Sequence, residues 1–430
     1  MPKDATVPHS IFDRRESQVR SYCRSFDTTF TTAKGSILTD EEGREYIDFL
    51  AGCSSLNYGH NDDDMKAALV EHITSDGIAH ALDMYTVEKR RFLETFEDRI
   101  LKPRGMDHKV MMTGPTGTNA VEAALKLARK VTGRANVIAF TNGFHGMTYG
   151  ALAATGNAGK RAGGATTLPD VSRMPYEGSL GDVDTLAVIE QMLDNPSSGI
   201  DAPAAFLIEP VQGEGGLNAA SAEWLRGIEK LARKHGALLI LDDIQAGIGR
   251  TGTFFSFEEM GVTPDLVPLA KSLSGFGLPF AALLVRPELD IWKPAEHNGT
   301  FRGNTHAFVT ARVALEKFWT DDRFQQEIAA KSTILTTALA EIADSIPGAF
   351  LKGRGMMQGI DVGSGDLAGD ICARAFEKGL VIETSGAHDE VVKVLAPLTT
   401  PDETFRKGLG ILAEVAREAI AARPQPIAAE

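Results

Sequence analysis

Short apolar runs that alternate with amphipathic segments restrict the fold of this chain more than any other feature. NVIAF (136–140), AAFLIE (204–209), LLILDD (238–243), LVPLAK (266–271) and FAALLV (280–285) each offer no polar face. Runs of this length read as strands buried on both sides. Between them, NAVEAALKLARKV (119–131) and SAEWLRGIEKLARKH (221–235) show helical spacing of apolar residues. Strands alternating with helices imply an α/β architecture with a mainly parallel sheet covered on both faces. In such sheets a ligand lies outside the carboxyl ends of the strands. The polar residues just past Phe140, Ile208, Leu241 and Ala270 are therefore the first candidates for a site.

The flanks differ from this middle region. KGSILTDEEGREYIDFL (34–50) shows two short strands around a DEEG turn, a hairpin signal. Beyond Phe308 the pattern becomes helical and then returns to short strands in LKGRGMMQGIDV and VVKVLAPLT. A chain of 430 residues exceeds one simple core. The expected division is a large domain over 61–308 and a smaller α/β domain built from 1–60 and 309–430. The 44 basic and 58 acidic residues, net charge -14, give no electrostatic support to nucleic-acid binding. Cys23, Cys53 and Cys372 show neither metal-ligand spacing nor a disulfide framework, so no metal is expected. With no apolar run of about 18 residues and no leader-like start, the reading is a cytoplasmic protein without a membrane partner.

The LLIL run enters two adjacent acids, Asp242 and Asp243. Burying an ionised carboxylate is costly unless a cation or strong donors meet it. If the strand pleat continues, the two acids point in opposite directions, which leaves one for chemistry and one for structure. GPTGTNAVEAALKLAR runs a Gly- and Thr-rich turn straight into a helix, where Gly117, Thr118 and Asn119 offer a phosphate cradle. Alone, the same stretch is also an ordinary capped helix with Thr118 or Asn119 as the cap. In GFHGMTYG, Phe144 and His145 follow a strand end, where a planar ligand stacks or, equally, where a core phenylalanine sits. EPVQGEGG places Glu209 at a strand end and Glu214 in a Gly-rich loop. Lys271 follows an apolar strand, a depth that depresses an amine pKa and makes it nucleophilic toward carbonyl carbon. A Schiff-base lysine, an acid for a pyridinium nitrogen, an aromatic stacking partner and a phosphate cradle together match pyridoxal 5′-phosphate.

Read as a whole, from about Phe26 to Arg406, the sequence resembles the class III (ω-amino acid) aminotransferases, pyridoxal-phosphate enzymes of fold type I. TGPTGTNAVEAALKLAR is similar to the phosphate-binding turn of that family, GFHGMT to its ring-stacking segment and EPVQGEGG to its glutamate loop. LLILDDIQAGIGRTG resembles the segment carrying the pyridinium acid. The resemblance implies that role for Asp242, contact with the ring hydroxyl for Gln245, and the Schiff base for Lys271. It also implies that the cation facing Asp242 is the ring of the bound cofactor rather than a side chain. Asp243 stands where glutamate is usual. NGTFRGN resembles a segment whose threonine reaches the neighbouring subunit's phosphate, implying a role for Thr300 and a homodimer with shared sites, with dimer or tetramer open.

Within the class the likeness is strongest to the L-2,4-diaminobutyrate:2-oxoglutarate aminotransferases of ectoine biosynthesis. It is carried by ESQVRSYCRSF, EYIDFLAGCSSLNYGHN and LDIWKPAEHNGTFRGNTHAFVTA. The implied substrates are small molecules: glutamate as amino donor and aspartate 4-semialdehyde as acceptor. Use of ornithine, 4-aminobutyrate or diaminobutyrate catabolically stays open, as does a mutase or racemase on the same scaffold. GCSSLNYGH departs from the subfamily's GAGTLNYGH in a loop expected beside the substrate, which makes Asn57 and Tyr58 candidate substrate contacts. Lys393 stands where many relatives carry an arginine for a substrate carboxylate, paired with the loop glutamate, here Glu214.

Overall fold

The computed structural model describes residues 10–163 and 167–423. Three amino-terminal strands come first: β1 (Phe30–Lys34), β2 (Ile37–Asp40) and β3 (Glu45–Asp48). The middle of the chain supplies β4 (Lys109–Met112), β5 (Val137–Phe140), β6 (Val171–Met174), β7 (Ala205–Ile208), β8 (Leu238–Leu241), β9 (Leu266–Leu269) and β10 (Ala282–Val285). These seven form one sheet in the order β4-β10-β9-β8-β7-β5-β6. Neighbours from β9 across to β6 run parallel, whereas β10 is antiparallel to both β9 and β4.

The two-sided burial expected of these strands is visible residue by residue. Along β8, Leu239 and Leu241 join a cluster with Trp224 and Ile228, while Leu238 and Ile240 join one with Leu125 and Leu127. The first pair packs under the helix Ala222–Lys234 and the second under the helix Gly117–Thr132. Burying each such leucine contributes about 1.5–3 kcal/mol, so reversing the strand's faces has no low-energy alternative. The helix expected to open at Asn119 starts at Gly117, because Thr116 and Asn119 form a reciprocal capping box. Ser221 caps the other helix by accepting from the Trp224 amide at 3.1 Å.

The last strands are β11 (Phe350–Arg354), β12 (Met357–Asp361), β13 (Leu380–Val381), β14 (Glu383–Ser385) and β15 (Val391–Val394). Four of them make a sheet in the order β11-β12-β15-β14, while β13 leaves it and pairs in parallel with β3. The hairpin around DEEG is present as β2 and β3, so chain from both ends shares one sheet. No helix among the described residues is long and apolar enough to cross a membrane.

The LVPLAK strand stops at Leu269, short of the expected Lys271. Lys271 has a φ of +51°, a left-handed backbone that no strand can contain. Such a residue stores about 1–3 kcal/mol and persists only where its surroundings dictate it.

The helix Asp402–Ala421 lies on the amino-terminal segment through Phe405, whose ring is 5.5 Å from that of Phe49. Gly408 sits so close beneath Phe49 that an added methyl would clash with its ring. Gly408→Ala should therefore destabilise the protein by about 1–3 kcal/mol through overpacking. A lowered denaturant midpoint with an unchanged m value would register this, and an unchanged midpoint would show that the contact has slack.

Candidate active site

A cavity of about 490 Å³ opens where β5, β7, β8 and β9 end, the expected edge of a parallel sheet and an ordinary size for a small-molecule site. Each strand delivers a side chain to it: Phe144 and His145 after β5, Glu209 after β7, Asp242 after β8 and Lys271 after β9.

One end is formed by the turn Thr116–Thr118. Gly117 and Thr118 occupy the first turn of a 16-residue helix, where backbone N–H groups have no intrahelical acceptor. The hydroxyl of Thr118 lies 2.7 Å from that of Thr148, which donates at 2.7 Å to Glu122. Gly146, with φ +132°, passes so near Thr118 that any side chain there would collide with the hydroxyl. Asn119 does not take the expected place. Its Oδ1 accepts from the Thr116 hydroxyl at 2.8 Å and the Thr116 amide at 3.3 Å, and its own amide donates to Thr116 O. Its polar groups belong to the helix cap and not to the cradle.

Asp242 is met by a side chain, contrary to the reading that only a cofactor ring would neutralise it. The Nδ1 of fully buried His145 lies 2.7 Å from Asp242 Oδ2, and the Ile244 amide donates to Oδ1 at 3.2 Å. Burial opposes charge on His145, but the Asp242 hydrogen bond and charge outweigh it and raise its pKa. Asp242 still lines the cavity, and a carboxylate has further lone pairs to offer. Asp243 lies on the other side, fully buried, accepting from the amide and hydroxyl of Ser256. Burial pushes its pKa up to about 7 despite those donors.

Glu209 takes a role that sequence reasoning left blank. Its two oxygens accept from the Phe144 amide at 2.9 Å and the Gly213 amide at 3.1 Å, tying together two cavity loops. Burial raises its pKa to about 7, against the favourable charge of His145.

Lys271 lines the cavity and its amine makes no hydrogen bond or ion pair among the described residues. Burial lowers its pKa, with the nearby Cys53 and Glu214 opposing the shift only in part. Gln245 donates to Cys53 O at 3.2 Å and Glu214 Oε1 at 3.3 Å, which leaves its Oε1 buried without a partner. Gly213 permits this arrangement, since a side chain there would overlap that oxygen.

Lys393, a candidate either for a substrate carboxylate or for a structural role, is fully buried and does not line the cavity. Its Nζ lies 3.0 Å from Glu214 Oε1 and 2.9 Å from Glu383 Oε1. Burial penalises its charge, yet Glu214 and Glu383 raise its pKa above the usual lysine range. Lys393 in turn helps hold Glu214 down at about 2, overcoming the burial that would raise it. Glu383 faces Lys393 across the β14–β15 ladder. The signal for it was a hairpin pattern in IETSGAHDEVVK that places residues 383 and 393 opposite each other.

Two further expected contacts lie elsewhere. Asn57 faces inward, where its Nδ2 donates to Ile248 O and its Oδ1 accepts from Arg250 at 2.6 Å. Arg250 has no exposed surface and also binds the carbonyls of Met356 and Ala396, so Asn57 is one of its few acceptors. The Tyr58 hydroxyl accepts from Trp319 at 2.7 Å, and its ring stacks on Phe318. Both residues are thereby withdrawn from the substrate. Ser55, from the same loop, lines the cavity instead. Thr300 lies outside the cavity of its own chain, with its carbonyl accepting from His80 at 2.8 Å.

The donor set fits pyridoxal phosphate. Unpaired amides with threonine hydroxyls suit its phosphate, Phe144 its ring face, Asp242 its ring nitrogen, and the orphaned Gln245 oxygen its ring hydroxyl. Comparison with known proteins agrees. The class-III aminotransferase family matches residues 20–416. The diaminobutyrate–2-oxoglutarate transaminase of Halalkalibacterium halodurans is 55% identical over 408 residues, covering 94% of this chain and 95% of the relative. That of Vibrio cholerae is 56% identical over 410 residues, covering 95% and 100%. Among solved structures, ornithine aminotransferase from Toxoplasma gondii superposes with a TM-score of 0.83 at 27% identity over 96% of this chain and 94% of that one. N-acetylornithine aminotransferase from Stenotrophomonas maltophilia does so with a TM-score of 0.72 at 30% identity over 92% and 97%. The chain belongs to the class-III aminotransferases, with the fold type I architecture of pyridoxal-phosphate enzymes.

Proposed function

We propose that this enzyme exchanges an amino group between L-glutamate and L-aspartate 4-semialdehyde, giving 2-oxoglutarate and L-2,4-diaminobutyrate, as in ectoine biosynthesis. The convergence of Lys271, Asp242, Gln245 and the Gly117–Thr118 turn on one cavity carries the chemistry. The substrate pair is supported by relatives more than half identical over almost the whole chain, which are diaminobutyrate–2-oxoglutarate transaminases.

Pyridoxal phosphate, when bound, supplies an aldehyde that takes up and returns the amino group, and a ring that accepts the electrons of the broken C–H bond. The chain's own residues do the rest. The amides of Gly117 and Thr118 and the Thr118 hydroxyl hold the phosphate at the positive end of the helix dipole. Phe144 covers the ring, anchored through its amide by Glu209. Asp242, oriented by His145, keeps the ring nitrogen protonated. Lys271, with its pKa lowered by burial, supplies an uncharged amine for attachment and then moves the proton at the amine-bearing carbon. One cavity serves both half-reactions, so the kinetics are ping-pong. In a homodimer Thr300 serves the partner's phosphate site, and the neighbouring Phe301 side chain, largely exposed in the single chain, joins the subunit contact.

Holoenzyme given glutamate and aspartate semialdehyde should form diaminobutyrate and 2-oxoglutarate in equal amounts. Faster turnover of ornithine or 4-aminobutyrate than of diaminobutyrate in the reverse direction would overturn the substrate assignment. Borohydride reduction should fix the cofactor to Lys271, and peptide mapping to any other lysine would reject its role. Lys271→Ala should lower transamination by about 10²–10⁴-fold or more. Asp242→Asn should lose about 10²–10³-fold in kcat by removing the charge that faces the ring nitrogen, and near-normal turnover would refute that role.

A further inference from the structure

We propose that Glu383 sets substrate specificity: by sharing Lys393 with Glu214, it leaves the cavity wall at Glu214 with a net negative charge that recognises the non-reacting ammonium of a diamino acid. The inference rests on the proposed reaction and names the feature that selects its diamine.

The geometry is a three-membered charge cluster. Lys393 has no solvent-exposed surface and contacts two carboxylates, Glu214 at 3.0 Å and Glu383 at 2.9 Å. Glu383 is delivered by strand register, directly opposite Lys393, and is itself largely buried. Glu214 is different, because its side chain is about a third exposed and lines the cavity. Its Oε1 receives both Lys393 and Gln245, whereas its Oε2 accepts no hydrogen bond among the described residues. An ionised oxygen without a donor, on the wall of a substrate cavity, is the natural counterpart of a substrate cation.

The charge count decides the sign. A single carboxylate on Lys393 would make a neutral pair with little pull on a cation. Two carboxylates on one ammonium leave one negative charge, and of the three groups Glu214 is the one that lines the cavity. The neighbouring groups do not cancel it. The Cys53 thiol, pushed up to about 11 by burial and Glu383, stays neutral, as does the Tyr22 hydroxyl bound to it at 2.8 Å. Lys271, whose pKa burial lowers, is the group that the reacting amine approaches.

Diaminobutyrate and 4-aminobutyrate form a matched pair for the test. Both carry the same reacting amine and the same carboxylate, and they differ in the ammonium at carbon 2. Rapid-mixing absorbance titration of the bound cofactor in the holoenzyme separates apparent binding from rate for each amine. Wild-type enzyme should bind diaminobutyrate about tenfold or more tightly than 4-aminobutyrate. Glu383→Gln should bring the ratio close to one by weakening diaminobutyrate alone, with the rate at saturation, cofactor affinity and melting temperature preserved. Glu383→Asp, which keeps the charge, should restore most of the preference. An unchanged ratio in Glu383→Gln, equal weakening of both amines, or no preference in the wild type would each overturn the proposal. Failure of glutamate to yield 2-oxoglutarate would instead count against the proposed reaction, so the two claims fail separately.

Discussion

The hydrogen bond between Asp242 and His145 is the interaction on which this structure depends. A parallel sheet buries β8 on both faces, so whatever follows Leu241 enters a region where an unpaired carboxylate is intolerable. His145 answers that demand at 2.7 Å from the end of β5, two strands away in the sheet. The pair therefore links two strand ends and fixes an anion at the floor of the cavity. Removing one partner of such a buried pair typically costs about 3–5 kcal/mol, because the other charge is stranded. The same anion that the fold must neutralise is the one that an electron-accepting ring nitrogen requires.

Around that anchor the charges are sorted by position. Asp242, His145 and Glu209 cluster on one side, with Glu209 binding the amides of both flanking loops. Glu214, Lys393 and Glu383 cluster on the other. Lys271 makes no hydrogen bond or ion pair with either group among the described residues, and burial depresses its pKa against the partial opposition of Cys53 and Glu214. Its left-handed backbone turns the chain out of β9 just as the side chain reaches the cavity. Strain, desolvation and freedom from ion pairing thus coincide at the residue proposed as the nucleophile.

Much of this was legible in the sequence, and the exceptions share a cause. The apolar runs became the strands of the central sheet because both-face burial is written in continuous apolar stretches. The residues just past four strand ends line the cavity because strand direction alone places them there. The antiparallel course of β10 could not be read, since a buried strand looks the same in either direction. Asn119, Asn57 and Tyr58 were misplaced because their partners, Thr116, Arg250 and Trp319, compete for them, and competition between polar groups is a property of tertiary packing. The sequence marks His145 as a neighbour of a planar ligand but not as the partner of Asp242, since 97 residues of chain separate the two. For Glu383 the sequence offers only a hairpin pattern, and its meaning comes from the β14–β15 register, which makes a glutamate and a lysine face each other inside the protein.

The central claim is that the strand-end carboxylate holds a proton on the cofactor ring. Nitrogen-15 NMR of holoenzyme reconstituted with ring-labelled cofactor measures that proton directly. The account predicts a protonated ring nitrogen in the wild type at neutral pH and an unprotonated one in Asp242→Asn. An unprotonated nitrogen in active wild-type enzyme would contradict it.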